Sequence, residues 1–370
     1  MSTLVAKPFT PNLNIINRYL ERVHASGWLT NNGPLARELT TRLEDYLGVS
    51  NLVLTANGTL ALQVAYRALH IEDTAITTPF TFSATASAMK WQGLQPWFVD
   101  IDPGSLCLSP QAVERAIQSF WQARESMNLS LHGIVPVHVY GNPCDVEAFS
   151  GLSKEHKLPV VYDASHAFGI QYKGKNILNW GDASTLSFHA TKLFHTVEGG
   201  AVIFNDGDAY EAAKKMVNFG LEGSDISGFG LNAKMSEVHA AYGLANLDCV
   251  DQILERRLEI LNQYKGILSG VIDFPKWNKL ASENASYVPI LLRNESHCHA
   301  VLQSLECIDV KARRYFYPSL HMATEFSCDR SDKCSNAEDV APRVLCLPVY
   351  PGLEDTQVQR ICEAVKRGIG

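Results

Sequence analysis

The chain has 370 residues and a formal net charge of −7 at neutral pH; 46% of its residues are hydrophobic and 19% are charged. This length accommodates two domains, and a negative charge without a basic stripe argues against general nucleic-acid binding. No apolar run reaches the roughly 18 residues that span a bilayer, and the first nine residues lack the apolar core of a signal peptide, so we expect a cytoplasmic globular protein.

The nine cysteines are scattered and include no Cys-x-x-Cys pair, which is typical of reduced thiols in the cytosol. His297, Cys298 and His299 are adjacent, but neighbouring side chains point in different directions. No second cluster is spaced to complete a tetrahedral site. The sequence therefore predicts no metal centre.

Two helical segments, residues 10–24 and 35–47, precede the first predicted strand, and the loop 27–34 separates them. From residue 52 onward, short apolar strands alternate with helices. The predicted strands are residues 52–55, 75–78, 95–99, 133–137, 160–163, 185–187 and 201–205. The predicted helices between them are residues 60–69, 82–91, 110–119, 145–154 and 208–218. This alternation predicts an α/β fold with an open, mostly parallel sheet, whose functional residues collect at the carboxyl ends of the strands.

A long helical stretch, residues 236–266, follows the sheet region, and residues 354–370 form a last amphipathic helix. We expect the long helix to connect two domains. The first, residues 1–245, holds the large sheet and the amino-terminal helical segment, and the second, residues 246–370, is a smaller α/β domain.

The first two strand–helix junctions carry candidate ligand contacts. Gly58 lets a ligand approach the backbone closely, while Thr59 and the first amides of the helix can bind an anion. Alone, these residues are typical of an ordinary helix N-cap. At the next junction Phe80 or Phe82 can lie against a flat ring, and the register favours Phe82.

Later strand ends carry a carboxylate, a hydroxyl and a lysine. Asp163 can keep a pyridinium nitrogen protonated, and His166 can stack on or hydrogen-bond to the same ring. Ser187 is placed to donate to a phosphate. Lys192 lies between a hydroxyl-rich turn and a Gly-Gly pair, and a partly desolvated lysine amine attacks carbonyl groups. Together with the possible phosphate loop, these residues indicate pyridoxal 5′-phosphate as cofactor.

These motifs together resemble the DegT/DnrJ/StrS sugar aminotransferases, which are fold-type I pyridoxal-phosphate enzymes. The resemblance extends over nearly the whole chain. The segments that carry it are residues 27–34, 57–62, 78–85, 98–103, 136–145, 162–169, 187–200 and 346–351. It implies that Lys192 binds the cofactor aldehyde, that Asp163 pairs with the ring nitrogen and that Phe82 stacks on the ring. The phosphate contacts that it implies are those of Gly58, Thr59 and Ser187.

The resemblance also implies an assembly. Asn232 would reach the cofactor phosphate of the neighbouring subunit, which makes the expected protein a homodimer with shared active sites. Read alone, residues 228–236 are a glycine loop with Ser236 as a helix cap.

Within the family, the chain resembles enzymes that aminate C4 of a nucleotide-linked 4-keto-6-deoxyhexose. L-Glutamate is then the implied amino donor, and dTDP-4-amino-4,6-dideoxyglucose, for O-antigen polysaccharide, is the implied product. Family dehydratases carry a histidine where this chain has Lys192, so the lysine favours transamination. Many members also have a histidine where Tyr315 stands. The candidate substrate contacts are Thr30, Asn31, Asn32, Tyr315 and, for the pyrophosphate, Arg313 and Arg314.

Three alternatives remain open from the sequence. The protein could aminate C3 of a keto sugar, or it could be another pyridoxal-phosphate enzyme, such as a cysteine desulfurase with Cys328 or Cys334 as its nucleophile. It could also be a regulatory homologue without turnover. Glutamate-dependent amination of a keto-sugar nucleotide separates a sugar aminotransferase from the last two alternatives.

Overall fold

The computed structural model describes residues 2–127, 130–326 and 332–370. The helices, numbered α1 to α12 in chain order, are Leu13–Ser26, Pro34–Leu47, Gly58–Ala68, Ser83–Trp91, Pro110–Met127, Val146–His156, Gly207–Met216, Glu237–Leu247, Val250–Leu268, Glu295–Glu306, Ser335–Val340 and Asp355–Ile369. The strands, numbered β1 to β15, are Thr3–Leu4, Leu52–Thr55, Thr74–Thr77, Gln95–Phe98, Leu131–Val135, Val161–Asp163, Gln171–Tyr172, Lys175–Asn176, Ala183–Ser187, Gly200–Phe204, Leu221–Glu222, Asp225–Ile226, Val288–Leu291, Val310–Lys311 and Val344–Leu347.

The main sheet has the strand order β4-β3-β5-β6-β9-β10-β2. Parallel bridges from Ile134 to Val160 and from Val137 to Asp163 connect its two halves. Only β10 runs antiparallel to its neighbours in this described sheet. The predicted α/β fold with a mostly parallel sheet is therefore confirmed, and it is the fold of type I pyridoxal-phosphate enzymes.

The predicted single helix over residues 236–266 is wrong, because the chain forms α8 and α9 with a break at Asp248 and Cys249. The Asp248 carboxylate accepts hydrogen bonds from the Tyr19 hydroxyl at 2.9 Å and from Arg42 at 2.8 Å. Cys249 has non-helical backbone angles, φ −118° and ψ 2°. Contacts with α1 and α2 thus hold the end of α8, and a separate helix begins at Val250.

Helices cover both faces of the sheet. One apolar cluster contains buried residues of α1, α2, α5, α6 and α8, and another contains those of α3, α4 and α7. A further cluster joins α9, α10 and α12 with β13 and β15. The domain division at residues 245 and 246 stays a prediction. No helix in the described ranges combines the length and apolar character needed to cross a membrane.

Candidate active site

A cavity of about 290 Å³ lies at the carboxyl ends of β6 and β9, beside the start of α3. This is the sheet edge where open α/β folds place their ligands. The predicted site residues that line the cavity are Gly58, Thr59, Phe82, Asp163, His166, Ser187, Lys192, Arg313 and Tyr315. Residues far apart in the sequence therefore meet at one place.

Lys192 lies in the turn between β9 and β10, where its backbone N–H donates to the His189 carbonyl at 2.8 Å. Burial lowers the pKa of the Lys192 amine to about 8, and the Asp163 carboxylate opposes this shift. Lys192 Nζ lies 3.5 Å from the hydroxyl oxygen of Tyr287. About a tenth of this amine is consequently uncharged and nucleophilic at pH 7, far more than for an ordinary lysine.

Asp163 ends β6 and is only 5% exposed. Its Oδ2 accepts a hydrogen bond from Thr85 Oγ1 at 2.8 Å, and its Oδ1 accepts one from the Ser165 N–H at 3.1 Å. Thr85 in turn lies 2.9 Å from the Thr81 hydroxyl. These contacts fix the carboxylate direction and satisfy a buried charge that would otherwise be costly.

His166 is buried beside the lysine. Burial, and then the charge of Lys192, holds the pKa of His166 well below its ordinary value, so the ring is neutral. Its Nδ1 accepts a hydrogen bond from the Tyr140 N–H at 3.2 Å. The second ring nitrogen is then the protonated one and is a hydrogen-bond donor.

The start of α3 forms an anion cradle. Asn57 caps this helix by accepting the Leu60 N–H at 2.9 Å, which leaves the first amides directed beyond the helix end. A β-carbon at Gly58 would lie 2.8 Å from Ser187 Cβ, and one at Gly200 would lie 2.7 Å from the Asn57 carbonyl. Glycines at these two positions let β9, β10 and the helix end approach closely, so amides and a hydroxyl face the same space.

Phe82 precedes the first residue of α4, lines the cavity and is 54% exposed. Phe80, the other aromatic candidate, is fully buried in the core. Of these two rings, Phe82 is the one available to a ligand.

The histidines that follow β9 have different surroundings. His189 is exposed at the cavity, and its Nδ1 lies 2.8 Å from the Thr191 hydroxyl. His195 is buried; its Nε2 donates to the Phe9 carbonyl at 2.8 Å, and its Nδ1 accepts the Val197 N–H at 3.2 Å. His195 therefore has a structural role in holding the amino-terminal segment.

Other candidates lie outside this cavity. Arg314 Nη2 pairs with Glu295 at 2.7 Å, and its guanidinium lies over the Tyr317 ring, so it is already engaged. Asn31 and Asn32 line a separate cavity with Lys234. The remaining outlying candidates are Thr30, which lies in the same loop as Asn31, and Asn232, which is exposed on the segment before α8.

Several residues at or around the site had no predicted role. Tyr287 and Glu198 line the cavity, and Thr85 orients Asp163. Glu237 is fully buried and accepts the N–H groups of Leu35 and Ala36 at 2.7 and 3.0 Å. An acidic residue after a helix-capping serine gives no local sign of a contact with another helix. For Tyr287, too, the sequence has no signal beyond a tyrosine before an apolar strand.

Of the two cysteines proposed for the desulfurase alternative, Cys334 is not placed for that chemistry. Cys334 is fully buried, its Sγ lies 3.2 Å from the Asp332 carbonyl oxygen, and burial raises the pKa of its thiol. A buried protonated thiol is a poor nucleophile. Cys328 lies outside the described residues.

Comparison with known proteins identifies similar sequences over nearly the full length. Residues 13–366 match the family described as DegT/DnrJ/EryC1/StrS aminotransferases. A dTDP-4-amino-4,6-dideoxy-D-glucose transaminase of Shigella dysenteriae is 37% identical over 374 residues, covering 98% of each chain. A GDP-perosamine synthase of Escherichia coli O157:H7 is 31% identical, covering 94% of this chain and 93% of that protein.

The fold of the chain is also similar to the folds of solved structures. The crystal structure of DesI in the presence of its TDP-sugar product aligns with a TM-score of 0.91 and 31% identity, and the alignment covers 100% of this chain and 94% of DesI. An aminotransferase of the same family from Brucella abortus aligns with a TM-score of 0.89 at 24% identity, over 95% of each chain. The second comparison concerns the fold alone.

Proposed function

The chain belongs to the DegT/DnrJ/EryC1/StrS aminotransferase family, and we propose that it transfers the amino group of L-glutamate to C4 of dTDP-4-keto-6-deoxyglucose. The product is dTDP-4-amino-4,6-dideoxyglucose, a building block for O-antigen polysaccharide. One observation carries the proposal: a nucleophilic lysine, an oriented carboxylate and an anion cradle face one cavity. The similarity to dTDP-sugar transaminases over almost the whole chain supports this choice of substrate.

The residues fit pyridoxal 5′-phosphate. The cofactor has an aldehyde, a pyridine nitrogen and a phosphate, and the cavity offers Lys192, Asp163 and the start of α3 as their respective partners. Ser187 adds a hydroxyl to the phosphate cradle, and Phe82 adds a ring face. When bound, the cofactor supplies an electron sink and carries the amino group between the two substrates.

The residues of the chain perform the proton chemistry. The Lys192 amine takes a proton from the substrate carbon and returns it one position away, first as base and then as acid. An amine with a pKa of about 8 can do both near neutral pH. Asp163, held by Thr85, keeps the ring nitrogen protonated in both half-reactions. Because glutamate and the sugar react in turn at one site, ping-pong kinetics follow.

Arg313 is the cation that we assign to substrate phosphate or carboxylate groups. It is exposed, lines the cavity, and its guanidinium lies 4.7 Å from the centre of the Tyr315 ring. Within the described residues it forms no ion pair, unlike its neighbour Arg314. Tyr315 then provides a wall for the sugar, and residues 30–32 remain candidates for contacts with a substrate held between two subunits.

A homodimer with shared sites completes the proposal. Asn232 is exposed, as are the apolar side chains of Phe219, Ile226 and Phe229, which are 52%, 83% and 83% exposed. These residues lie in one segment between α7 and α8. A second copy of the chain would cover them and receive Asn232 at its cofactor phosphate. We place the enzyme in the cytoplasm, where nucleotide sugars are made.

The test is incubation of the purified enzyme with pyridoxal 5′-phosphate, L-glutamate and dTDP-4-keto-6-deoxyglucose, followed by NMR of the product. We expect an amine at C4 in the equatorial position of the gluco product. Lys192→Ala serves as the inactive control. If the enzyme aminates GDP-4-keto-6-deoxymannose faster than the dTDP-sugar, its activity would instead be that of a GDP-perosamine synthase. Amination of a 3-keto sugar alone, or absence of turnover with all of these sugars, would refute the proposal.

A further inference from the structure

Tyr287, which lies 95 positions after the reactive lysine in the chain, contacts its amine. It precedes β13, lines the same cavity, and its hydroxyl oxygen accepts a hydrogen bond from Lys192 Nζ at 3.5 Å. Within the residues that the structure describes, Lys192 forms no ion pair, and its amine lies 5.8 Å from the centre of the Tyr287 ring. This hydroxyl therefore provides a polar contact that can set the position of the amine.

Three rings on separate parts of the chain hold Tyr287 in place. Its ring meets His166 edge-on at 4.6 Å between centres, and Tyr315 at 4.9 Å with an interplanar angle of 76°. Tyr140 lies 5.7 Å away at 55°. Rotation of the Tyr287 side chain would lose these aromatic contacts, so the direction of its hydroxyl is fixed before any ligand binds.

The chemistry of a neutral phenol suits this position. Burial raises the pKa of Tyr287, so its hydroxyl remains protonated at working pH. The oxygen can accept a hydrogen bond from a lysine ammonium, and the O–H can donate to the neutral amine. One side chain can thus hold Lys192 in both of the protonation states that a proton-transferring lysine must adopt.

We infer that Tyr287 is a positioning residue that holds the Lys192 amine near the reacting atoms while this amine takes and returns the proton. The inference rests on the proposed aminotransferase function and adds a residue to it. Tyr315, which packs against Tyr287, is itself covered by the Arg313 guanidinium.

The test compares wild type with Tyr287→Phe, which keeps the ring contacts and deletes only the hydroxyl. Lys192 is labelled with acetic anhydride in the cofactor-free protein over a range of pH values, and mass spectrometry gives the midpoint of its reactivity. The hydrogen bond to the charged ammonium is stronger than the one to the neutral amine, so removing the hydroxyl should lower this midpoint by roughly half a pH unit. In the holoenzyme we expect kcat to fall about tenfold, with KM for the sugar nucleotide within about twofold of wild type.

Tyr140→Phe is the matched control. It removes a hydroxyl from the same aromatic cluster, but this hydroxyl donates to the Tyr315 carbonyl at 3.3 Å and makes no contact with Lys192. We expect a wild-type midpoint and wild-type kcat from it. The other titratable groups that line the cavity are unchanged in both variants, namely Asp163, His166, His189, Glu198, Arg313 and Tyr315.

A labelling midpoint in Tyr287→Phe equal to that of wild type would overturn the inference, as would the same shift in Tyr140→Phe. Circular dichroism of each variant confirms that the labelled protein is folded. Labelling needs no sugar nucleotide, so a wild-type enzyme that fails to aminate the sugar would refute the proposed function and leave this result interpretable.

Discussion

Asp163 is deeply buried, and the Thr85 hydroxyl and the Ser165 N–H donate hydrogen bonds to its two carboxylate oxygens. Asp163→Asn should therefore fold, yet it exchanges the carboxylate for an amide that cannot stabilise a protonated ring nitrogen. If this removes about 2 kcal/mol of charge-assisted stabilisation, turnover falls roughly thirtyfold. Glutamate-dependent amination measures the loss, with the exposed Asp208→Asn as control. Full activity in Asp163→Asn would contradict the assigned role.

The depressed pKa of Lys192 also makes a prediction about stability. Its pKa is about 8 in the folded protein and 10.5 in the unfolded chain. Between these values the unfolded state binds more protons, so the free energy of unfolding rises with pH. The cofactor-free wild type should be less stable than Lys192→Met below pH 8, and the difference should vanish as the pH rises through 10.5. Urea unfolding of both proteins at pH 7.5 and 9.5 checks this; an equal difference at both values would count against it.

At the scale of elements, the start of α3 depends on its close approach to β9. A methyl group at Gly58 would lie 2.8 Å from Ser187 Cβ, so Gly58→Ala must separate the helix end from the strand. We expect a loss of about 1–3 kcal/mol in the free energy of unfolding and weaker binding of the cofactor, measured by equilibrium titration. Gly151→Ala in α6 is the control, because nothing lies within 4 Å of its added carbon. If both variants bind the cofactor with equal affinity, the start of α3 does not hold the cofactor phosphate.

The start of α2 depends on a residue from another helix. Gly33 offers no side chain to cap α2, and the Glu237 carboxylate accepts the Leu35 and Ala36 N–H groups instead. Glu237→Gln keeps one acceptor oxygen and turns an N–H₂ group towards the second amide. We expect a loss of about 1–3 kcal/mol in unfolding free energy, against no change for the exposed Glu363→Gln. Urea unfolding measures the free energy of unfolding of both variants. A wild-type value in Glu237→Gln would show that α2 does not depend on the Glu237 cap.

At the scale of the whole molecule, shared sites can be tested by complementation. Lys192→Ala and Asn232→Ala are each expected to be nearly inactive at low cofactor concentration. A mixed dimer carries one site with both native residues, so refolding the two variants together should restore roughly a quarter of wild-type activity. Activity assays before and after mixing measure this. No recovery in a mixture shown to contain mixed dimers, or full activity in a wild-type monomer, would refute the shared site.

The extent of sequence-based prediction differs between the parts of the molecule. The alternation of strands and helices gave the correct fold class, because local periodicity and turn residues determine these elements. The long helix over residues 236–266 was wrong, since its break depends on Tyr19 and Arg42, more than 200 residues away. Nothing in the local pattern around Asp248 marks that contact.

The site likewise contains residues that local sequence predicts and residues whose place depends on distant partners. Lys192, Asp163 and Gly58 could be predicted as site residues from the sequence, because their chemistry and their places at strand ends are local properties, and the structure brings them to one cavity. Tyr287 and Thr85 could not, because each acts through a partner 95 or 78 positions away. Adjacent arginines gave no basis for choosing between them; the fold directs Arg313 to the cavity and Arg314 to Glu295. The sequence by itself determined which reactive groups the chain has, and the tertiary structure alone decided which side chains hold them, since packing brings distant residues together.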